Sequence, residues 1–303
     1  MLAPFLFLRM TTVERSSPCK VNLLLNVLGR RADGFHELET VMQPVPVCDR
    51  LTFAAGGAGI RLTVNRPELP AGPENLVYRA AEAFLAATGR QTGLAIHLEK
   101  NIPLAAGLGG GSGNAAQTLL GLNELFGHPL PDAKLSELAG ALGSDVPFFL
   151  QSQPALATGR GEHVRPLPNF AALRGAFLLL VHPGFGVPTP WAYRALADHP
   201  AALNGQPGRA ARLIHTLQNG TLPDAAAQFY NSLEAPVLQK YPLLAVFQDF
   251  FRAHGAAGAL MSGSGSTTFA VLSGRAAAEA LLDQFRRHFG EHYWTAIAAL
   301  PDQ

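Results

Sequence analysis

The sequence predicts an α+β fold divided between two domains. Its 303 residues exceed the usual size of one domain, which is roughly 100 to 200 residues. Hydrophobic residues make up 48% of the chain and charged residues 15%, which is enough apolar material for packed cores and argues against a disordered chain. Candidate strands and helices are mixed without a steady β-α-β alternation, and this favours α+β over a doubly wound parallel sheet.

The first half of the chain contains four candidate strands and three candidate helices. The segment 20–28 is rich in leucine and valine and ends at Gly29, and a turn with Asp-Gly chemistry follows at 30–34. Apolar residues recur at helical spacing in 75–88, whereas they alternate with other residues in 94–98. These patterns predict strands at 20–28, 51–53, 60–64 and 94–98, and helices at 75–88, 112–126 and 133–142.

The second half begins after Pro168, where the character of the sequence changes. A fully apolar strand is predicted at 176–181, followed by helices at 210–217 and 225–233. A strand at 269–272, a helix at 275–288 and a last strand at 293–298 complete the pattern. The boundary is expected between 166 and 174, which gives domains at 1–168 and 169–303.

Charge and cysteine content limit the partners and the compartment. The formal net charge is +1, so no strong overall field attracts nucleic acid or an anionic membrane. Two cysteines, Cys19 and Cys48, fit reduced thiols in a cytoplasmic protein better than a disulfide framework. The apolar stretch 2–8 lacks the flanks of a signal peptide and is too short to span a bilayer, so residues 1–10 are interpreted as an N-terminal extension.

The most informative motif is the glycine-rich run that ends at Gly113. Five glycines fall within residues 107–113, directly before a helical pattern. Glycine admits positive φ angles and a close approach of the ligand, so several backbone N–H groups can converge on one anion beside the positive end of the helix. Phosphate is the natural ligand, and Ser112 can add a hydroxyl to a phosphate or a metal ion. The alternative is a flexible turn that only caps the helix.

Three other glycine motifs do not fit this run. It lacks the Lys-Ser or Lys-Thr pair that ends a Walker A loop. Ser112 replaces the third glycine of the dinucleotide-binding fingerprint, and no acidic residue follows at the distance of a ribose partner. The His-Arg-Asp and Asp-Phe-Gly motifs of protein kinases are also missing from the sequence.

Residues 103–115 match the pattern Pro-x-x-x-Gly-Leu-Gly-x-x-Ser-x-x-Ala, which resembles the central motif of the GHMP family of small-molecule kinases. The triple glycine 109–111 is typical of the branch of that family that phosphorylates a cytidine diphosphate-linked methylerythritol. The resemblance implies that the nucleotide is bound by Pro103, Leu104, Ala105, Ala106, Gly107, Leu108, Gly109, Gly110, Gly111, Ser112 and Gly113.

Four further segments resemble the family, at 18–23, 29–38, 143–149 and 261–265. Three positions depart from its usual pattern. Cys19 stands in place of alanine, Phe35 in place of tyrosine and Gly113 in place of a second serine. The resemblance covers about residues 16 to 300. It implies an N-terminal domain like domain 2 of ribosomal protein S5 and a C-terminal ferredoxin-like α/β sandwich.

The candidate catalytic residues are Lys20 and Asp145. A carboxylate beside the apolar residues 146–149 can accept a proton from a substrate hydroxyl, and the resemblance makes Asp145 the general base. Lys20 opens an apolar strand, where it can orient Asp145 and stabilise charge on the transferred phosphoryl group. From the residues alone, Asp145 could instead cap the next element, and Lys20 could guard a strand edge.

Substrate contacts are expected from Asn22, Phe35, His36, Thr189 and Tyr193. Asn22 lies two residues beyond Lys20 and so faces the same side of the strand. The resemblance implies that Phe35 and Tyr193 hold the cytosine ring by stacking, that His36 reads the edge of the base, and that Thr189 lies near the erythritol or diphosphate. Core packing remains the alternative for Phe35 and Tyr193, and a loop hydrogen bond for His36.

The remaining expectations concern cofactors, minor contacts and assembly. ATP is implied as the phosphoryl donor, with Mg²⁺ held mostly by phosphates and water and no metal site built from side chains alone. Residues 262–265 are expected to pack against the first glycine loop, and Lys100, Asn75 and Leu76 near the adenine. His288 and His292 are interpreted as surface histidines. The protein is expected to act on a small molecule, as a monomer or weak homodimer that binds neither nucleic acid nor membrane.

Two alternative functions remain open from the sequence. A GHMP enzyme with another substrate, such as a mevalonate, homoserine or galactose kinase or diphosphomevalonate decarboxylase, would share the glycine loop. A nucleotide-binding protein without catalytic activity could use the same fold, although the presence of both Lys20 and Asp145 argues against it.

Overall fold

The computed structural model describes residues 12–300, so the interpretation of residues 1–10 lies outside the described part. The strands are β1 (Thr12–Arg30), β2 (His36–Ala55), β3 (Ile60–Val64), β4 (Leu94–Glu99), β5 (Ala155–Gly159), β6 (His163–Pro166), β7 (Phe177–His182), β8 (Tyr230–Asn231), β9 (Gly258–Met261), β10 (Thr268–Leu272) and β11 (Trp294–Ala299). The α-helices are α1 (Leu76–Thr88), α2 (Gly110–Leu125), α3 (Asp132–Leu142), α4 (Thr189–Ala195), α5 (Pro200–Leu203), α6 (Arg209–Asn219), α7 (Leu222–Ala226), α8 (Glu234–Lys240), α9 (Leu243–Ala253) and α10 (Arg275–Phe289).

The first sheet is built around the long antiparallel pair β1 and β2. Its strand order is β3-β4-β2-β1-β8, and the hairpin of β5 and β6 is added through β2. Register shifts between Pro18 and Cys19 and between Asn22 and Leu24 interrupt the pairing, and such irregularities bend a strand. Helices α1, α2 and α3 cover one face, where Phe53 and Phe84 are fully buried in one apolar core.

The second sheet has the strand order β11-β7-β10-β9, and all its neighbouring strands are antiparallel. In chain order this is fourth, first, third, second, the arrangement of a ferredoxin-like fold. Helices α9 and α10 pack on one face, where Phe247, Phe251 and Phe285 are buried against Leu179 and Ala270. The prediction of an α+β protein with a ferredoxin-like C-terminal sheet is confirmed.

The two sheets share an apolar core. Leu23 of β1 is buried in the same cluster as Leu178 and Leu180 of β7 and Phe269 of β10. In addition, β8 comes from the second half of the chain but pairs in parallel with β1, through Leu24 and Tyr230. The second half therefore completes the first sheet, and the boundary at 168/169 stays a prediction.

The predicted strands and helices are found in the structure, except the helix at 225–233, which is wrong. There the chain leaves α7 at Ala226, extends at Tyr230–Asn231 and enters α8 at Glu234. Pairing with β1 overrides the local apolar spacing, and the Asn231 side chain accepts the Leu233 N–H at 2.9 Å, a local bond that competes with a helix. The strand predicted at 51–53 is only the end of β2, whose first part was missed.

Two further expectations concern the cysteine thiols and the presence of a membrane-spanning helix. Cys19 and Cys48 both keep free thiols. Burial, with nearby Cys48 and Asp49, raises the pKa of Cys19 to about 12, so this thiol stays protonated and unreactive at neutral pH. Within residues 12–300, no helix has the length and apolar character needed to cross a membrane.

Candidate active site

A cavity of about 1130 Å³ brings together residues from both halves of the chain. It is large enough for two small ligands, since single-ligand pockets measure roughly 300 to 1,000 Å³. Nearly all residues predicted from the sequence to bind or react lie on its wall. They are Lys20, Asn22, Phe35, His36, Asn75, Leu76, Lys100, residues 103–112, Asp145, Thr189 and Tyr193.

The glycine loop is held in a conformation that requires glycine. Gly107 and Gly109 have φ angles of 75° and 68°, in the left-handed region that favours glycine. A Cβ on Gly107 would lie 2.0 Å from the carbonyl oxygen of Ser262. Helix α2 begins directly after Gly109, and residues 110–112 line the cavity. The loop therefore presents the free amides and the positive end of a helix to any anion bound there.

Gly113 differs from the rest of the run. Its N–H donates to the carbonyl oxygen of Gly109 at 2.9 Å, and it lies outside the cavity wall. A Cβ at this position would lie 2.9 Å from the carbonyl oxygen of Pro18 and 3.0 Å from Ser17 Oγ. Its amide is used inside the helix and its lack of a side chain lets α2 approach β1, while nucleotide binding by Gly113 stays a prediction.

Lys20 and Asp145 come together at one side of the glycine loop. Lys20 Nζ lies 3.6 Å from Asp145 Oδ2, with side-chain exposures of 4% and 40%. The ammonium also donates to Asn22 Oδ1 at 2.5 Å, and Asn22 Nδ2 donates to Thr40 Oγ1 at 2.8 Å. This chain of contacts fixes the buried lysine, while Asp145 stays accessible to a ligand in the cavity.

The second glycine loop packs against the first, as the sequence predicts. Ser262 Oγ donates to the carbonyl oxygen of Gly107 at 2.9 Å, and the Thr267 N–H donates to that of Ala106 at 3.1 Å. Asn231 Nδ2 donates to the carbonyl oxygens of Met261 and Gly263, each at 2.8 Å. Through Asn231, strand β8 holds the second loop in place.

One end of the cavity wall is aromatic. His36 and Tyr193 stack with ring centroids 5.1 Å apart. Burial and the positive charge of Arg30 lower the pKa of His36, which keeps the imidazole neutral near pH 7. Burial, and then the negative charge of Asp145, raises the pKa of Tyr193, so the phenol stays protonated. This end can hold a planar, uncharged ring system.

Phe35 lies at the mouth of this aromatic end and is 52% exposed. The guanidinium carbon of Arg160 lies 4.7 Å from the centroid of its ring, within the range of a cation–π contact. Arg160 is itself held by Glu162, at 3.3 Å from Nε to Oε1. Nearby, Thr189 Oγ1 lies 2.8 Å from Ser264 Oγ, so the start of α4 is joined to the second glycine loop.

Several residues at the cavity are absent from the set predicted from the sequence. Arg30, Arg160 and Arg194 line the cavity, and the Thr40 hydroxyl accepts a hydrogen bond from the Asn22 side chain. For Arg160 a signal was available, because glycines flank it on both sides in the turn between β5 and β6. For Thr40 the sequence offers none, since its role depends on the pairing of β1 with β2.

The cavity is poorly suited to a metal ion held by protein ligands alone. In the described part of the chain, no group of three or more His, Cys, Asp or Glu residues could hold a metal ion. Lys20, Arg30, Lys100, Arg160 and Arg194 line the wall, against Glu74 and Asp145. This excess of positive charge suits phosphate groups, together with a cation that is coordinated mainly by those phosphates.

Comparison with protein families gives two matches along the chain. Residues 75–153 match the family described as GHMP kinases N terminal domain. Residues 200–291 match the one described as GHMP kinases C terminal. The first includes the glycine loop at 107–113 and Asp145, and the second includes the Ser262–Gly265 loop.

Several curated proteins resemble almost the whole chain. A 4-diphosphocytidyl-2-C-methyl-D-erythritol kinase from Pelotomaculum thermopropionicum is 45% identical over 88% of this chain and 92% of its own length. An enzyme of the same name from Synechococcus sp. strain JA-3-3Ab is 40% identical over 93% of this chain and 94% of its own length.

Solved structures give the same result at the level of the fold. A crystal structure of 4-(cytidine 5'-diphospho)-2C-methyl-D-erythritol kinase has a TM-score of 0.76 and 37% identity, covering 95% of this chain and all of that one. A homoserine kinase from Cytophaga hutchinsonii has a TM-score of 0.74 at 18% identity, covering 100% of this chain and 98% of that one. At that identity, the second likeness shows the fold alone.

Proposed function

The chain belongs to the GHMP kinase family, and on that premise we propose that it transfers the γ-phosphate of ATP to 4-diphosphocytidyl-2-C-methyl-D-erythritol. Relatives of that name are about 40% identical to it over most of its length. The acceptor is the 2-hydroxyl, the products are the 2-phosphate and ADP, and the reaction belongs to the non-mevalonate route to isoprenoid precursors.

One observation in the structure supports this function above the others. A single cavity contains the phosphate loop, the Lys20–Asp145 pair and the stacked rings of His36 and Tyr193. The loop suits the phosphates of a nucleotide, the pair suits a reacting hydroxyl, and the rings suit a base. A substrate that carries both a hydroxyl and a cytosine ring needs all three groups in one place.

The reaction requires a held phosphate, an aligned hydroxyl and neutralised charge. In the proposed mechanism, Asp145 accepts the proton of the substrate's 2-hydroxyl. The oxygen of that hydroxyl forms a bond to the γ-phosphorus, and the bond between the γ-phosphorus and the β-phosphate oxygen breaks. Lys20 orients the Asp145 carboxylate and stabilises charge on the phosphoryl group. Asn22 and Thr40 keep the lysine in position.

We propose that the cytosine ring stacks on Tyr193 and lies toward Phe35, while His36 reads the edge of the base. The neutral state of His36 supports this role, because a neutral imidazole has one donor and one acceptor nitrogen. Phe35 lacks the hydroxyl of the tyrosine common in the family. The Arg160 guanidinium over its ring keeps a hydrogen-bond donor at that corner of the cavity.

A divalent cation, proposed to be Mg²⁺, would supply charge neutralisation between the β- and γ-phosphates when bound. Ser112 and Asp145 line the same cavity and carry side-chain oxygens that could contact it, with phosphates and water as the other ligands. A cytoplasmic location and a monomer or weak homodimer complete the proposal.

A direct assay tests the function. The purified protein is incubated with ATP, Mg²⁺ and the cytidyl substrate, and ADP and the new phosphomonoester are followed by phosphorus NMR. We expect stoichiometric ADP and 2-phosphate. A folded protein that forms no ADP with this substrate would overturn the proposal.

Asp145→Asn tests the general base. We expect kcat to fall by about 100-fold or more, because positioned general bases contribute at least that much, while the KM values change little. The matched control is Asp224→Asn in the distant helix α7, which should leave kcat unchanged. An Asp145→Asn enzyme with normal turnover would show that the hydroxyl proton leaves by another route.

A further inference from the structure

Asp49 is a buried carboxylate to which neither the proposed mechanism nor the sequence patterns give a role. It lies on β2 at 0% exposure, outside the cavity wall. Burying a carboxylate costs several kcal/mol unless its charge is paired and its oxygens are hydrogen-bonded. Asp49 must therefore be held by specific partners, and the identity of these partners indicates what it does.

Its partners lie at the two ends of the phosphate loop. Oδ1 accepts the backbone N–H groups of Asn101 at 2.7 Å and Ile102 at 2.8 Å. Oδ2 accepts a hydrogen bond from Lys100 Nζ and a second one from Asn114 Nδ2 at 2.9 Å. Residues 100–102 directly precede the loop 103–113, and residue 114 directly follows it. One carboxylate thus joins the beginning of the loop to its end.

The same contacts fix a positive charge beneath the phosphate site. Lys100 is 3% exposed and lines the cavity. A Cβ on Gly110, the first residue of α2, would lie 2.8 Å from Lys100 Nζ. Lys100 Nζ therefore sits against the first turn of the helix, where burial lowers the pKa of Lys100 and the carboxylate of Asp49 acts in the opposite direction to keep it charged.

The network also reaches the catalytic strand. Asn114 Nδ2 lies 3.0 Å from Ser17 Oγ on β1, three residues before Lys20. All four donors bind to an oxygen of the carboxylate. An asparagine has one oxygen and one NH₂ group in place of the two carboxylate oxygens. Asparagine would turn two hydrogens toward groups that are themselves donors, so the loop ends would lose part of their connection.

We propose that Asp49 is a positioning residue for the nucleotide, which sets the spacing of the phosphate-loop amides by holding both ends of the loop. The inference rests on the proposed function only in assuming that the loop binds ATP. It predicts that the loss of the carboxylate weakens ATP binding and leaves the cytidyl substrate site unaffected, since Asp49 contacts no residue proposed to hold the base.

The test is Asp49→Asn, with two measurements. Titration calorimetry with a non-hydrolysable ATP analogue gives Kd, and steady-state kinetics give separate KM values for ATP and the cytidyl substrate. We expect Kd and KM for ATP to rise about tenfold or more, because small displacements of positioning groups have effects of this size, and KM for the cytidyl substrate to stay within about twofold. Asp283→Asn, on the exposed side of α10, is the matched control.

A second variant serves if Asp49→Asn does not fold. Asn114→Ala removes the connection at the end of the loop, together with the contact to Ser17 Oγ, and leaves Lys100 paired with Asp49, so ATP affinity should fall by about threefold or more. Folded variants with lower Tm but unchanged Kd and KM for ATP would overturn the proposal in favour of a purely structural role. A wild-type protein that binds the ATP analogue but does not phosphorylate the cytidyl substrate would refute the proposed function and leave this test intact.

Discussion

At the scale of single residues, the cavity shows how the side chain of a buried lysine is held in one orientation. Lys20 is nearly inaccessible, yet Asn22 and Asp145 face its ammonium, and a Cβ on Gly263 would lie 3.3 Å from Nζ. A buried charge requires such partners. Asn22 is fixed in turn by Thr40, whose hydroxyl donates to the carbonyl oxygen of Leu24 at 2.5 Å. The geometry of Lys20 thus depends on the pairing of β1 with β2.

Tyr193→Leu is the residue-scale prediction. Loss of the ring removes the proposed stack on cytosine, which is worth about 0.5 to 1.5 kcal/mol beyond area burial. We expect KM for the cytidyl substrate to rise about twofold to twelvefold, with KM for ATP unchanged, as measured by steady-state kinetics.

Tyr293→Leu is the matched control for this change. Tyr293 packs against Phe247 and Phe285, in the core of the second sheet and away from the cavity. That variant should lower Tm while leaving both KM values unchanged. If Tyr193→Leu raised the two KM values equally, the ring would be positioning the whole cavity rather than the base.

At the scale of elements, the approach of α2 to β1 sets the position of the phosphate loop. Gly113→Ser is predicted to disturb this contact, because a Cβ would meet Pro18 O and Ser17 Oγ at 2.9 and 3.0 Å. Overpacking of this kind costs about 1 to 3 kcal/mol. We expect a lower free energy of unfolding in urea and no gain in ATP affinity.

Gly140→Ser provides the comparison for that variant. It lies in α3, where a Cβ would meet nothing within 4 Å, and serine is the better helix former. Its free energy of unfolding should stay equal or rise slightly. Tighter ATP binding by Gly113→Ser would mean that the serine hydroxyl reaches the phosphates in spite of the crowding.

Elements with strong local patterns could be predicted from the sequence, and those set by distant contacts could not. The helix at 75–88 has an N-cap at Asn75 and a left-handed glycine at Gly89, and both signals are visible in the sequence. Residues 225–233 have helical spacing, but pairing with β1 makes part of them a strand.

The same distinction applies to the candidate site. The phosphate loop, Lys20 and Asp145 lie in short motifs that can be recognised along the chain. Asp49 follows an apolar run as a lone carboxylate, and nothing nearby in sequence indicates that it contacts residues 100–102 and 114. The contacts with residues 100–102 arise when β2 pairs with β4, through Arg50 and Glu99, and the contact with Asn114 arises when α2 packs on β2.

At the scale of the whole molecule, the shared core predicts that the first half cannot fold alone. A fragment of residues 1–168 lacks Leu178, Leu180 and Phe269, which bury Leu23, and it leaves β1 as an open edge without β8. We expect it to lack a cooperative unfolding transition in near-UV circular dichroism. A fragment that unfolds cooperatively would establish the predicted boundary as that of an independent domain.

Stability of the whole molecule should also depend on pH through His182. This residue ends β7, is 7% exposed, and has Nδ1 at 3.2 Å from Ser266 Oγ. Burial lowers its pKa from 6.5 to about 4. Between these values the unfolded chain binds more protons than the folded one, so stability is full above pH 6.5 and is lost as the pH falls toward 4. His36 acts in the same direction, whereas the raised pKa of Glu234 acts in the opposite one.

His182→Gln isolates this contribution, because the wild type and the variant both retain His36 and Glu234. For the wild type, the His182 contribution lowers the free energy of unfolding by about 2 kcal/mol between pH 7.5 and pH 5. Urea unfolding at the two pH values should show that the variant is less stable at pH 7.5 but loses about 2 kcal/mol less on acidification. His215→Gln, on α6, should keep the wild-type difference. An equal pH dependence in His182→Gln would mean that His182 is solvated enough in the folded protein to accept its proton at an ordinary pKa.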